Sequence, residues 1–262
     1  MGGIESTTRF VFRVSRYYGG FFKILVLGPA CLMATLYHSP FCPHSRFIRL
    51  VLGELGFAVT LIEERVWERR REFLLLNPAA TTPVFVEEQT GPLPGAGVIA
   101  EYLDETRGLA LGEHRFLPDS PLERAEVRRL LDWFNGKMFD EVTGYLVTEK
   151  INKRFMSAEQ GGGAPDMGAI RAARNNVRYH LVYIDYLMAH QNWLGGNRLT
   201  YADLAAAAQL SVADYLGDVP WSANEPAKAW YQKIKSRPSF RPLLADRVPG
   251  MDPSAHYSDL DF

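Results

Sequence analysis

The sequence predicts an α/β domain over residues 33–108, followed by an all-helical domain over residues 109–246. Three observations support this fold class. Short strand-like segments alternate with amphipathic helical segments up to residue 108, as they do in α/β units. A stretch rich in glycine, proline and turn residues then interrupts the pattern at residues 108–118. From residue 122 onward, apolar residues recur mainly at helical spacing.

The first domain has the predicted order strand, helix, strand, helix, strand, strand, helix. A turn containing Ser39, Pro40 and Cys42 joins the first strand to the first helix, which begins at Pro43. Asn77 ends the second helix because a residue before proline avoids the helical conformation. The strands are predicted at residues 35–38, 57–63 and 82–87, with a turn at 88–91, and the helices at 43–55, 65–76 and 98–103.

The second domain contains several long helices. The periodicity predicts them at residues 122–134, 139–156 and 169–190, with a flexible break at 160–165. Thr200 and Asp203 form a variant of the capping box at the start of a further helix. We interpret Tyr179, Tyr183 and Tyr186 as residues of the core or of the contact between domains.

The bulk composition excludes several functional classes. The chain has 262 residues, of which 29 are basic and 30 acidic, so there is no general argument for a nucleic-acid partner and none is expected. The six histidines show no metal-ligand spacing, so no metal site is predicted. Two cysteines, Cys31 and Cys42, are too few for a disulfide scaffold and indicate a reducing cytoplasm.

Residues 1–32 do not share the pattern of the rest. Their apolar run is short and interrupted by Pro29, so it cannot span a bilayer, and no integral membrane segment is predicted. We interpret Met33 as the true start, because the first strand begins shortly after it. The extension is then expected to be disordered or an artefact of start-site assignment.

Residues 247–262 form an acidic and aromatic tail. Proline and glycine residues at 249–253 prevent a helix, and the tail ends in Tyr-Ser-Asp-Leu-Asp-Phe. It could be a disordered terminus. A short segment that combines apolar and acidic residues is also typical of a docking motif, which is the interpretation we favour.

The turn after the first strand is the candidate catalytic site. A cysteine before proline at the start of a helix is expected to have a lowered pKa, which would make Cys42 reactive. Cys42 could equally be a small, partly buried turn residue. Ser39 is the alternative for a hydroxyl-type group.

Several motifs resemble those of the glutathione transferase superfamily over about residues 34–246. They are Leu36-Tyr37-His38-Ser39-Pro40, Asn77-Pro78 ahead of Pro83-Val84, Ile99-x-x-Tyr102-Leu103 and the Thr200–Asp203 cap. The resemblance implies a thioredoxin-like N-terminal domain and an all-helical C-terminal domain. It also implies a cis peptide bond before Pro83 and a glutathione site at Thr82 and Pro83, with Cys42 or Ser39 as the activating group.

One part of the superfamily's glutathione-binding site is missing from this sequence. Aligned on Ile99 and Tyr102, the Glu/Gln-Ser pair that holds the γ-glutamyl carboxylate in this superfamily is Gly95 and Ala96 here. Neither side chain can form a hydrogen bond, and each lost charge-assisted bond costs about 1.5–3 kcal/mol. We therefore expect glutathione binding to be weak or absent, with no cofactor and no transferase activity.

Three features resemble a branch of the superfamily in alphaproteobacteria that acts in cell division: the start at Met33-Ala-Thr-Leu-Tyr-His38, the lost carboxylate site and the ending of the tail. That resemblance implies a homodimer that binds FtsZ filaments at the division site, favours curved bundles and constriction, and links FtsZ to septal cell-wall synthases. The partner-binding positions carried over are Trp67, Glu149, Arg154 and Asp259. The alternative function is a glutathione-dependent thiol transferase or lyase that uses Cys42.

Overall fold

The computed structural model describes residues 34–88 and 90–260. The predicted extension at residues 1–32 lies outside this part of the chain. Among the described residues, none of the helices is long and apolar enough to cross a membrane.

A four-stranded sheet forms the centre of the first domain, with strand order β2-β1-β3-β4. β1 pairs in parallel with β2, while β3 pairs antiparallel with both β1 and β4. The strands are β1 (Thr35–His38), β2 (Thr60–Glu63), β3 (Val84–Glu87) and β4 (Gly91–Pro94). The predicted element order is therefore confirmed, although β2 begins later than the sequence predicts.

Three helices accompany the sheet. They are α1 (Pro43–Glu54), α2 (Arg71–Leu76) and α3 (Ala96–Thr106). The prediction of one continuous helix over residues 65–76 is wrong. Val66–Glu68 forms a separate 3₁₀ turn, and Arg69 adopts a left-handed conformation with φ 47°. Arg70, the residue before α2, donates two hydrogen bonds to the buried Glu64 carboxylate, at 2.6 and 3.3 Å, which holds the break in place.

The second domain is helical, as predicted. Its helices are α4 (Pro121–Asp132), α5 (Gly144–Lys150), α6 (Met167–Met188), α7 (Tyr201–Tyr215), α8 (Glu225–Lys235) and α9 (Arg241–Leu244). A π-helical segment, Trp133–Thr143, joins α4 to α5 without a break. The interpretation of the α6 tyrosines is partly wrong, because Tyr183 is half-buried while Tyr179 and Tyr186 are exposed.

The core is continuous between the two domains because α1 packs against α7, which is buried along its whole length. The predicted capping box at the start of α7 is confirmed. The Asp203 carboxylate accepts hydrogen bonds from Thr200 N at 2.9 Å and from Trp230 Nε1 at 3.0 Å. This cap therefore joins two helices of the second domain.

The C-terminal segment packs on the body of the protein. Tyr257 is completely buried in a small apolar cluster with Phe41, Tyr215 and Val248. The tail is therefore anchored as far as Tyr257, whereas Ser258, Asp259 and Leu260 are exposed.

Candidate functional site

A cleft of about 760 Å³ lies beside the turn between β1 and α1. Both domains line it: Cys42 and Thr82 come from the first domain, and Phe139 and Asn152 come from the second. Trp67 lines the same cleft and is half-buried. The cleft thus contains the predicted reactive cysteine and one of the predicted partner-binding residues.

Cys42 and His44 form a thiol–imidazole pair in the cleft. Cys42 is the residue immediately before α1, where free helix N–H groups favour a thiolate. Its Sγ lies 3.6 Å from the Thr82 carbonyl oxygen. His44 Nε2 donates a hydrogen bond of 2.7 Å to the Asn135 carbonyl oxygen, which leaves Nδ1 for the sulfur.

Burial alone would raise the pKa of the Cys42 thiol, because the charged form loses hydration. The hydrogen bond and charge of His44, together with hydrogen bonds from Ser45, outweigh burial and lower this pKa to about 7. The pKa of His44 is raised in spite of burial, because the sulfur favours the imidazolium. A thiolate–imidazolium pair is therefore accessible near neutral pH.

The peptide bond between Thr82 and Pro83 is cis, which confirms the expectation drawn from the resemblance. The same segment places the Thr82 carbonyl beside Cys42. The Pro83 carbonyl accepts a hydrogen bond of 3.0 Å from Gly95 N. Cys42, Thr82 and Gly95 are therefore neighbours in one site, although a glutathione-binding role for Thr82 and Pro83 stays a prediction.

Gly95 and Ala96 lie at the start of α3. They occupy the positions at which the superfamily has the Glu/Gln-Ser pair that holds the γ-glutamyl carboxylate. Gly95 has φ 94° and ψ 136°, a conformation that side chains of L-residues rarely adopt. A Cβ atom on Gly95 would meet no neighbouring atom within 4 Å, so the obstacle to a larger residue is backbone strain and not space. A larger residue at position 95 would therefore fit sterically but would carry backbone strain.

The other predicted partner-binding residues occupy three different environments. Arg154 is exposed and donates a hydrogen bond of 3.0 Å to the Gly250 carbonyl oxygen. Arg65, two residues before Trp67, stacks on the ring of Phe155 at 5.9 Å, so the Trp67 turn lies beside the Arg154 segment. Asp259 is exposed just beyond the anchored Tyr257.

Glu149 does not belong to a solvated surface. Its side chain is only 10% exposed and accepts hydrogen bonds from Lys153 Nζ at 2.6 Å and from Asp166 N at 2.7 Å. Asp166 is the residue that caps α6. Glu149 therefore fixes the loop before α6 and the Lys153 side chain, next to the exposed Arg154.

Two residues of the site were missed at the sequence level. His44 follows Cys42 by two positions, and this spacing at a helix start could have indicated a thiol–imidazole pair. Asn135 gave no signal, because its role depends on a carbonyl oxygen in the π-helical segment that lies 91 residues from His44. The described residues contain no cluster of three or more potential metal ligands.

The fold and this site define the class of protein. A family model described as "Glutathione S-transferase, N-terminal domain" matches residues 36–112, and one described as "Glutathione S-transferase, C-terminal domain" matches residues 169–238. The chain belongs to the glutathione S-transferase family.

Within this family the chain is similar to FtsZ-localized protein A from Caulobacter vibrioides, with 47% identity over 231 residues, which cover 87% of this chain and 98% of that protein. Among solved structures, it is similar to a glutathione S-transferase from Sinorhizobium meliloti 1021, with 53% identity, a TM-score of 0.86 and coverage of 88% of this chain and 100% of that one. FzlA from C. crescentus gives 46% identity, a TM-score of 0.80 and the same coverage of both chains.

Proposed function

We propose that this protein is a cell-division factor of the glutathione S-transferase family that binds FtsZ filaments in the cytoplasm at the division site. The observation that carries this proposal is the 47% identity to FtsZ-localized protein A, which extends over nearly the whole of that protein. A similarity of this length must extend over both domains, which supports a shared binding surface.

The proposed action uses binding surfaces and no transferase chemistry. Gly95 and Ala96 offer no side chain to hold a γ-glutamyl carboxylate. A homodimer could bridge two filaments and favour curved bundles, because two linked binding sites raise the effective concentration of the second. A link to the septal cell-wall synthases is part of the same proposal.

Trp67 and Arg154 are the central residues of the proposed FtsZ-binding surface. Their segments lie side by side through the Arg65–Phe155 contact, and tryptophan and arginine are the residue types enriched at interaction hot spots. Glu149 supports this surface from below by fixing Lys153 and the loop at Asp166. Asp259 belongs to the exposed end of the tail and would contact a separate part of the division machinery.

Co-pelleting with purified FtsZ and GTP, followed by electron microscopy of the filaments, tests this function. The wild-type protein should pellet with FtsZ and increase filament curvature, and Trp67→Ala and Arg154→Ala should each weaken both effects. Trp193→Ala and Arg241→Ala are matched controls that make the same changes at other positions on the helical domain. If the wild-type protein leaves FtsZ pelleting and filament shape unchanged, the proposal fails.

A second candidate function is a glutathione-dependent thiol transferase or lyase. The Cys42–His44 pair favours it, because a thiol with a pKa of about 7 beside the Thr82–Pro83 segment suits nucleophilic chemistry. Thermal unfolding with and without millimolar glutathione separates the two functions. Clear stabilisation by glutathione, with thiol-transfer activity that Cys42→Ser abolishes, would favour the enzyme over the division factor.

A further inference from the structure

The segment that follows α9 packs against the end of α7. Tyr215, the last residue of α7, binds this segment at two points through its hydroxyl. The hydroxyl accepts a hydrogen bond from Val248 N at 2.9 Å and donates one to the Met251 carbonyl oxygen at 2.7 Å. The Ser254 N–H group donates to the Tyr215 carbonyl oxygen at 2.9 Å. We call residues 248–254 the C-terminal strap.

A tight turn in the C-terminal strap is built on Pro249 and Gly250. Met251 N donates a hydrogen bond of 3.1 Å to the Val248 carbonyl oxygen across this turn, and Gly250 adopts a left-handed conformation with φ 71°. Proline at the second position and glycine at the third are the residues that a type II turn favours. The Gly250 carbonyl takes no part in the hydrogen bond of the turn, so it can accept one from another segment.

Arg154 donates that hydrogen bond. The distance from Arg154 Nη2 to the Gly250 carbonyl oxygen is 3.0 Å. No acidic side chain among the described residues forms an ion pair with Arg154. A guanidinium has five N–H donors, and the strap uses a neutral carbonyl to hold this one. Arg154 is therefore fixed in place while it keeps its charge and further donors for a partner.

Apolar contacts connect the C-terminal strap to the turn that carries Trp67. Met251 of the strap and Phe155 both pack against the apolar cluster around Tyr257. Phe155 also contacts Arg65, whose guanidinium carbon lies 5.9 Å from the centre of the ring. Arg65 immediately precedes the 3₁₀ turn that contains Trp67. The strap, Phe155 and the Trp67 turn therefore form one continuous series of contacts.

We propose that the C-terminal strap positions the FtsZ-binding surface. It holds the Arg154 guanidinium directly through Gly250, and it holds the Trp67 turn indirectly through Phe155. This role rests on the proposed function, in which Trp67 and Arg154 are the central binding residues. Side chains that are fixed before the partner arrives lose less entropy on binding. A segment near the C-terminus thus determines the shape of a surface whose tryptophan lies in the first domain.

Co-pelleting with FtsZ over a range of FtsZ concentrations tests the proposal. Gly250→Ala should weaken binding about three- to tenfold, because φ 71° strains a residue with a side chain and the carbonyl moves away from Arg154. Tyr215→Phe should have a similar effect, because it removes the hydroxyl that bonds the strap twice. Gly56→Ala is the matched control and should bind like the wild type. It makes the same change at an exposed left-handed glycine, with φ 62°, just after α1.

A double-mutant cycle separates positioning from a general loss of stability. In an Arg154→Ala background, Gly250→Ala should have little further effect on FtsZ binding, because the side chain that Gly250 positions is gone. An equal loss in both backgrounds would mean that the strap acts only through stability, and would overturn the proposal.

Hydrogen exchange in the free protein gives a readout that does not need FtsZ. The backbone amides of residues 66–69 and 152–156 should exchange faster in Tyr215→Phe than in the wild type, because both turns lose their support. The same amides should exchange at the wild-type rate in Gly56→Ala. Unchanged exchange in Tyr215→Phe would show that the strap does not hold these turns, and would contradict the proposal.

The pelleting results also separate the role of the strap from FtsZ binding itself. A wild-type protein that stays in the supernatant would refute the FtsZ-binding function and the positioning role together. Normal pelleting of the wild type, with unchanged binding by Gly250→Ala and Tyr215→Phe, would refute the positioning role alone.

Discussion

The guanidinium of Arg46 lies 3.1 Å from the hydroxyl of Tyr257, so the C-terminal segment contacts the first helix although the two residues are 211 positions apart in the sequence. Arg46 is completely buried, and it also donates hydrogen bonds to the Pro40 carbonyl at 2.7 Å and to Ser211 Oγ at 2.9 Å. Asp246 supplies the opposite charge at 3.2 Å. The turn that carries Cys42 is therefore held by residues from the far end of the sequence.

Replacing Tyr257 with phenylalanine should destabilise the protein by about 1–3 kcal/mol, because it leaves buried polar groups without a partner. The lost hydroxyl accepts from Arg46 and donates to the Leu243 carbonyl at 2.7 Å. Urea unfolding measures the effect. Tyr179→Phe removes a hydroxyl from an exposed ring and should leave the unfolding midpoint unchanged; an equal loss in both variants would contradict the anchoring role of Tyr257.

Alkylation of Cys42 by iodoacetamide should increase with pH around a midpoint of about 7. His44→Ala should shift this midpoint to higher pH, because burial then raises the pKa without the opposing imidazole, and alkylation at neutral pH should slow roughly tenfold. The experiment needs a Cys31→Ser background so that one cysteine reacts. His114→Ala is the surface control, and an unchanged pH profile in His44→Ala would rule out the pair.

Polar side chains introduced at the start of α3 test the two reasons for which we expect glutathione binding to be weak. Ala96→Ser should increase the thermal stabilisation by glutathione, because the hydroxyl can bond a carboxylate at a helix N-terminus. Gly95→Glu should lower the stability of the free protein, because φ 94° strains any L-residue. A Gly95→Glu protein as stable as wild type would show that the backbone at this position is not a barrier.

Acidification should destabilise the protein between pH 6.5 and about 4 through His38. Burial, and after it the positive charge of Arg49, lowers the pKa of His38 to about 4, while Asp246 opposes and Arg46 adds to the decrease. The unfolded chain binds a proton below its ordinary pKa of 6.5 and the folded chain does not, so stability is complete above that pH and decreases by about 3 kcal/mol as the pH approaches 4.

Thermal unfolding of wild type and His38→Gln across this range isolates the contribution of His38 from that of the carboxylates. The variant should lose less stability on acidification than the wild type. His190→Gln changes an exposed histidine and should follow the wild-type curve. Parallel curves for the wild type and His38→Gln would show that His38 is not responsible.

Local chemistry explains which parts of the fold were predicted correctly. The bounds of β1 and the start of α1 follow from the proline-rich turn, and the cap at Thr200 and Asp203 has a short and specific signal. The second helix was predicted too long because its periodicity continues through Arg69. The left-handed conformation of Arg69 and the hydrogen bonds between Arg70 and Glu64 depend on tertiary packing, which the periodicity of the sequence does not reveal.

The candidate site was predicted only where its residues are close in sequence. Cys42 and Thr82 were found through the turn and the proline motif. The role of Asn135 was not predicted, because it depends on a backbone carbonyl in a π-helical segment. The burial of Glu149 was not predicted either, because it depends on the N–H group of a residue 17 positions away. Neither contact leaves a pattern in the sequence. Long-range polar contacts of this kind decide which charged residues face a partner and which support the fold.

The burial of Arg46 also affects how the protein unfolds. The side chains to which Arg46 donates hydrogen bonds all lie beyond residue 200, and Glu54 at the end of the same helix pairs with Arg237 at 2.6 Å. Separating the domains would remove these hydrogen-bond partners and expose the apolar faces along which α1 and α7 pack, which is strongly destabilising. Residues 34–260 should therefore melt in a single cooperative transition, and neither half should be obtainable as a stable fragment.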